Sequence, residues 1–173
     1  MKRNILTMCL ALASTALMAQ QYQVKGVAPE GAKKVYVKYL ESQTADSVQV
    51  VAGKKFTLTA DASKSLFAQI STDNNQYAIV LLDGNSEVDF TVGAARGTKE
   101  NDGMHLWKER MMPVEGELKK LMTEYEEHKK NNTLTEGIYT EIVTKYDSLQ
   151  ALLMVQSEQC YAENLQAKFP AYF

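Results

Sequence analysis

Cysteine is almost missing from this chain: of 173 residues only Cys9 and Cys160 carry a thiol. Cys9 lies in an N-terminal apolar run, so the remainder holds one thiol, which allows no internal disulfide and no dithiol pair. Histidine is as scarce. His105 and His128 stand alone, with neither a cysteine pair nor an HExxH frame beside them, which argues against a zinc site. No motif supplies a serine nucleophile with its base and orienting acid, so a hydrolase of that kind is not expected. No run beyond the N-terminus approaches the roughly 20 apolar residues of a membrane-spanning helix. Lysine and arginine are not clustered, and without such clusters phosphate contact with nucleic acid has no footing.

The N-terminus reads as an address. Lys2 and Arg3 precede a short, mostly apolar run, Ile5 to Leu17. That pattern predicts a secretory signal peptide over residues 1–19, cut after Ala19, and hence a periplasmic or otherwise exported protein. Thr7-Met8 before Cys9 is a poor lipobox, so a lipoprotein is not expected. Taking Lys2 and Arg3 from the 19 basic residues leaves 17 against 21 acidic, a net charge of −4. In an oxidising compartment the lone Cys160 is either buried and inert or open to an intermolecular bridge.

Residues 20–98 alternate as strands do. Tyr22 to Val27 opens the series. In the next run Val35, Val37 and Tyr39 share one face, and Tyr36 and Lys38 share the other. Asp46 to Val51 and Lys55 to Thr59 flank Ala52-Gly53-Lys54, read as a hairpin-like interruption. Ser65 to Ser71 and Tyr77 to Leu82 are joined by the turn formers Thr72 to Asn75. Glu87 to Val92 follows Asp83-Gly84-Asn85, read as a tight turn whose glycine takes a positive φ. About seven strands with frequent turn signals and no intervening helices predict an antiparallel β-sandwich. The fold class expected is therefore α+β, with a C-terminal antiparallel helical hairpin over 99–173.

That hairpin follows from a change of period. Trp107, Met111, Val114, Leu118, Leu121, Tyr125 and His128 form an a/d seam, interrupted by Pro113, which predicts a kink or a division into 100–112 and 113–130. Asn131-Asn132 breaks the helix. Thr133, with Glu136 three residues on, reads as the capping box of a second helix. Its seam is Ile142, Tyr146, Leu149, Leu153, Gln156 and Cys160, with Ile138 a turn ahead. The two seams suit burial against each other.

Few residues invite chemistry. Asp83, Asn85 and Glu87 alternate as calcium ligands can, but lack the twelve-residue loop and its bidentate acid. Met104, Met111, Met112, Met122 and Met154 have helical spacing and read as packing or contact surface. The charged stretch Glu124 to Lys130 reads as a solvated helix face. Trp107, Tyr125 and Tyr146 are candidates to line a pocket between sheet and hairpin. No catalytic, cofactor-binding or metal-binding residue is assigned.

The order of landmarks carries a resemblance. Asp46-Ser47-Val48 leads to Gly53-Lys54-Lys55-Phe56, then to Ile79-to-Gly84 (IVLLDG), then to Gly97-Thr98-Lys99-Glu100-Asn101-Asp102. This resembles the N-terminal domain of unknown function that precedes the thioredoxin-like domain in exported TlpA/ResA-like thiol-disulfide oxidoreductases of Bacteroidota. Glu163-Asn164-Leu165 and Phe169 to Phe173 are similar to the linker leading into the thioredoxin part. In that family redox activity resides in a Cys-x-x-Cys motif, absent from this sequence, so no active-site residue carries over. The resemblance implies a non-enzymatic exported accessory module acting through a protein partner, a thioredoxin-like protein or a redox client. The alternatives are a truncated oxidoreductase whose catalytic domain is missing, and a small-ligand-binding module. The two helices also leave room for a homodimer.

Overall fold

The computed structural model describes residues 20–42 and 44–173; the expected signal peptide lies outside the described residues. The described residues form eight strands, two long helices and a closing 3-10 turn. The strands are β1 (Gln21–Val27), β2 (Lys34–Tyr39), β3 (Ala45–Gln49), β4 (Lys55–Asp61), β5 (Phe67–Thr72), β6 (Tyr77–Leu81), β7 (Ser86–Asp89) and β8 (Ala94–Arg96). Helix α1 spans Lys99–Lys130, α2 spans Glu136–Glu163, and the 3-10 turn is Phe169–Tyr172.

The alternating pattern does what its period requires. Val35, Val37 and Tyr39 of β2 are buried, as are Phe56, Leu58 and Ala60 of β4. With Val24, Ile70, Val80 and Val88 they fill the interior of a single sheet, ordered β3-β2-β5-β6-β8-β7-β1-β4. The sheet curls until it nearly closes, in the manner of a barrel. The Tyr39 hydroxyl of β2 accepts a 2.9 Å bond from the Asp61 amide of β4, joining strands far apart in the sheet order.

Three expectations about this half need correction. The sheet is not a sandwich and not purely antiparallel, because β1 pairs parallel with β7 and β6 pairs parallel with β8. The cause is β8, a three-residue strand that returns between β6 and β7. Asp83-Gly84-Asn85 is therefore no tight hairpin, since its flanking strands are not neighbours. Gly84 is also not in the positive-φ region; its need is space, since a Cβ there would lie 2.8 Å from Thr98 Cγ2. Likewise β3 and β4, joined through Gly53, lie at opposite ends of the sheet order and form no hairpin.

The strand β6 positions everything that follows. Ala78 and Val80 face the barrel interior, while Ile79 and Leu81 are buried on the outer side against Met104, Trp107, Cys160 and Phe169. That outer cluster seats the helices on the sheet. Helix α1 continues through Pro113 without dividing. Met111 and Val114 on either side of it are buried, whereas Pro113 is exposed, so its ring lies on the solvent side of the helix. The turn after α1 closes with Asn132 at φ 55°. The N-cap of α2 is Thr135, two residues later than expected, its hydroxyl accepting from the Ile138 amide at 3.3 Å. Thr133 instead closes α1: its amide donates to the His128 carbonyl at 2.9 Å.

Candidate interaction surface

The sequence Gly97-Thr98-Lys99-Glu100-Asn101-Asp102 builds the joint between sheet and hairpin. Thr98 is the N-cap of α1, accepting from the Asn101 amide, and it donates to Asp83 Oδ1 at 2.8 Å. Asn101 is wholly buried, where an amide is costly unless paired. It is paired on both sides: its Oδ1 accepts from the Leu81 amide at 2.9 Å, and its Nδ2 donates to the Leu81 carbonyl at 2.9 Å. One side chain thus satisfies both backbone groups of a residue on β6. Glu100 reaches the other way, its Oε2 accepting from the amides of Lys168 and Phe169 at 2.7 and 3.0 Å. The Phe169 ring lies against Gly103, where a Cβ would meet Cε1 at 2.5 Å.

A second polar tie lies at the end of β7. His105 is buried between two carboxylates, with Nε2 3.4 Å from Asp89 Oδ2 and Nδ1 3.6 Å from Glu109 Oε2. Glu109 also meets Arg96 of β8 at 3.5 Å. Burial raises the pKa of Asp89, but hydrogen bonds from Thr91, His105 and the Val92 amide outweigh it and hold the carboxyl below its ordinary range. Among the described residues no group of three or more His, Cys, Asp or Glu side chains is placed to hold a metal.

The residues singled out in the sequence fall in different places. Trp107 is buried against the sheet, with the Arg110 guanidinium 4.6 Å from its ring centre. Tyr125 is half-buried 18 residues further along α1, about 27 Å away at 1.5 Å per residue. Tyr146 is 38% exposed on α2, its hydroxyl accepting from Gln150. Trp107 and Tyr125, 18 residues apart on one helix, do not line one cavity. Cys160 is fully buried in the outer cluster. Burial pushes its pKa up to about 11, with Glu163 adding to the rise and Arg110 opposing it. Asp83, Asn85 and Glu87 also separate: Asp83 serves Thr98 and Asn101, Asn85 accepts from the Gln23 amide at 2.8 Å, and Glu87 is exposed on β7. A concavity of about 870 Å³ lies where the chain turns back from α2 onto α1, beside Leu106, Leu165 and Phe169.

The hairpin has two unlike sides along its length. One is a polar groove between the helices, with Glu117, Lys120, Glu124 and Lys145 around Leu121 and Leu149. Both of its lysines are paired, Lys120 with Glu117 at 2.6 Å and Lys145 with Glu141 at 2.7 Å. The other side carries Tyr139, Val143, Tyr146, Gln150, Met154, Ser157 and Tyr161, spaced 4, 3, 4, 4, 3 and 4 residues apart. At 100° per residue these form one stripe, rotated from the line Ile142–Leu149–Gln156 that meets α1. Tyr139 is 50% exposed, Met154 65% and Tyr161 55%. Exposed Met122 of α1 lies toward the same side, while Leu152 and Val155 of α2 point away from it. The sequence held this signal, since α2 has more apolar residues than one seam can absorb, yet counting a single a/d seam hid the rest.

No family model matches the chain, and neither a curated protein nor a solved structure does. None of the helices among the described residues is long and apolar enough to cross a membrane.

Proposed function

We propose that this protein is a non-enzymatic accessory module of the cell envelope, related to the N-terminal domain of thioredoxin-like oxidoreductases, that acts by binding another protein. The observation that carries the reading is the apolar stripe of α2, which holds three tyrosines and a methionine in the open. A contiguous exposed apolar face of this kind is what contact surfaces present, and aromatic anchors are what binding faces concentrate. The partner class is a thioredoxin-like protein or one of its redox clients. Cys160 takes no chemical part: it is buried, and a thiol held near pKa 11 has about a hundredfold less thiolate at neutral pH than an ordinary one.

Two measurements test this together. In an insulin-reduction assay the isolated chain is expected to match buffer alone, and thiol reagents are expected to label Cys160 only after unfolding. Calorimetry against a purified thioredoxin-like protein encoded in the same genome is expected to give binding that Tyr146→Ser weakens at least tenfold. Reduction above background, or binding indifferent to the stripe, would overturn the reading.

A further inference from the structure

Charge borders the α2 stripe on one side in a regular way. Glu136, Asp147 and Glu158 recur every 11 residues, three helical turns, and so form one nearly straight row along its outer edge. All three are exposed, and none belongs to an ion pair among the described residues. The single basic residue of α2, Lys145, lies on the opposite, polar side, bound to Glu141. On the inner edge α1 presents both signs, through Lys119, Glu126 and Lys129, the last with its ammonium 5.7 Å from the Tyr125 ring centre.

We infer that the occupant of this stripe is an amphipathic helix of a partner protein whose apolar face is bordered by lysine or arginine. The inference rests on the interaction reading above and adds the partner's chemistry to it. An apolar band with an unpaired acidic row complements an apolar band with a basic row, and repels an acidic one. The stripe runs from Tyr139 to Tyr161, about 33 Å at 1.5 Å per residue, so it seats six turns of helix. A second copy of this chain fits worse. In antiparallel docking of two α2 helices through this stripe the acidic rows of both copies run along the same edge, and in the register centred on Asp147, Glu136 of one copy faces Glu158 of the other and Asp147 faces Asp147. Every carboxylate then meets a carboxylate.

The test uses the full mature chain and two synthetic 22-residue helical peptides with the same leucine face, one bordered by lysine and one by glutamate. Fluorescence anisotropy is expected to show the lysine peptide binding at least tenfold more tightly than the glutamate peptide. Met154→Ser with Tyr146→Ser is expected to remove that binding, as is Asp147→Lys with Glu158→Lys, while Lys120→Ser on the polar side leaves it unchanged. Raising salt from 50 to 500 mM is expected to weaken it several-fold. Equal binding of both peptides, or binding that survives the stripe substitutions, overturns the inference. So does a concentration-dependent dimer in sedimentation equilibrium that the stripe substitutions abolish, because the occupant is then a second copy. So does stripe-dependent binding to phosphatidylcholine vesicles. If neither peptide binds while the thioredoxin-like protein still does so through Tyr146, the interaction reading stands and the basic-helix chemistry falls.

Discussion

The two halves of the helical hairpin use the same heptad period to opposite ends. In the half that lies on the sheet, polar residues are buried: Asn101 and His105 are as inaccessible as Met104, and each polar atom has a partner. In the half that projects beyond the sheet, apolar residues are exposed: Met122, Tyr139 and Tyr146 face solvent, and Leu121 and Ile142 are buried in the hairpin alone. Burial in a helix pair is thus set by what lies alongside. A polar side chain is retained where it completes a backbone, and an apolar one is left open where no neighbour arrives.

The sharpest way to break this comparison is at Asn101. Asn101→Leu keeps the branching of the side chain but leaves the Leu81 amide and carbonyl buried without partners, and is expected to cost about 3 kcal/mol, the sum of two unsatisfied groups. Urea denaturation measures it; a loss below about 1 kcal/mol would mean that water replaces the side chain. Next in size is Gly103→Ala, whose Cβ would enter the Phe169 ring. It is expected to cost about 2 kcal/mol as overpacking and to raise hydrogen exchange in residues 167–173. Unchanged exchange there would show that the C-terminal turn does not depend on this contact.

Asp89 comes third, and its effect depends on pH. Its folded pKa lies below the ordinary 3.8, so its contribution is complete at neutral pH and fades as pH falls through about 4 and below. Asp89→Asn is expected to cost about 1 kcal/mol at pH 7, with the difference from wild type narrowing at pH 3. A gap that stays constant across that range would remove the carboxylate from the account. The smallest effect is expected in the projecting half. Tyr146→Ser should change stability by no more than about 0.5 kcal/mol, because the ring is partly exposed. A loss of 2 kcal/mol would place Tyr146 in the core after all and erase the contrast between the halves.

Much of the architecture was legible from particular residues. The inward face Val35-Val37-Tyr39, the buried line Trp107-Met111-Val114-Leu121 and the break at Asn131-Asn132 all follow from period and turn chemistry. Ala94-Ala95-Arg96 was not legible as a strand, because three residues, two of them alanine, are too few to show alternation, and missing it hid the parallel pairings. The motif ending in Asn101-Asp102 stood out in the sequence without its reason. That reason lies on Leu81, 20 residues earlier, and no local pattern links an amide to a backbone that distant.

By itself the amino-acid sequence determined the α+β order, the strand faces, the seam of α1 and that of α2 apart from Tyr146, since each depends on spacing between near neighbours. Tertiary structure alone decided that the sheet curls into one nearly closed layer and that β8 slips between β6 and β7. It also decided which apolar residues of α2 stay in the open. These are outcomes of which surfaces come together, and a helix does not carry in its own period the identity of the neighbour that covers it or leaves it bare.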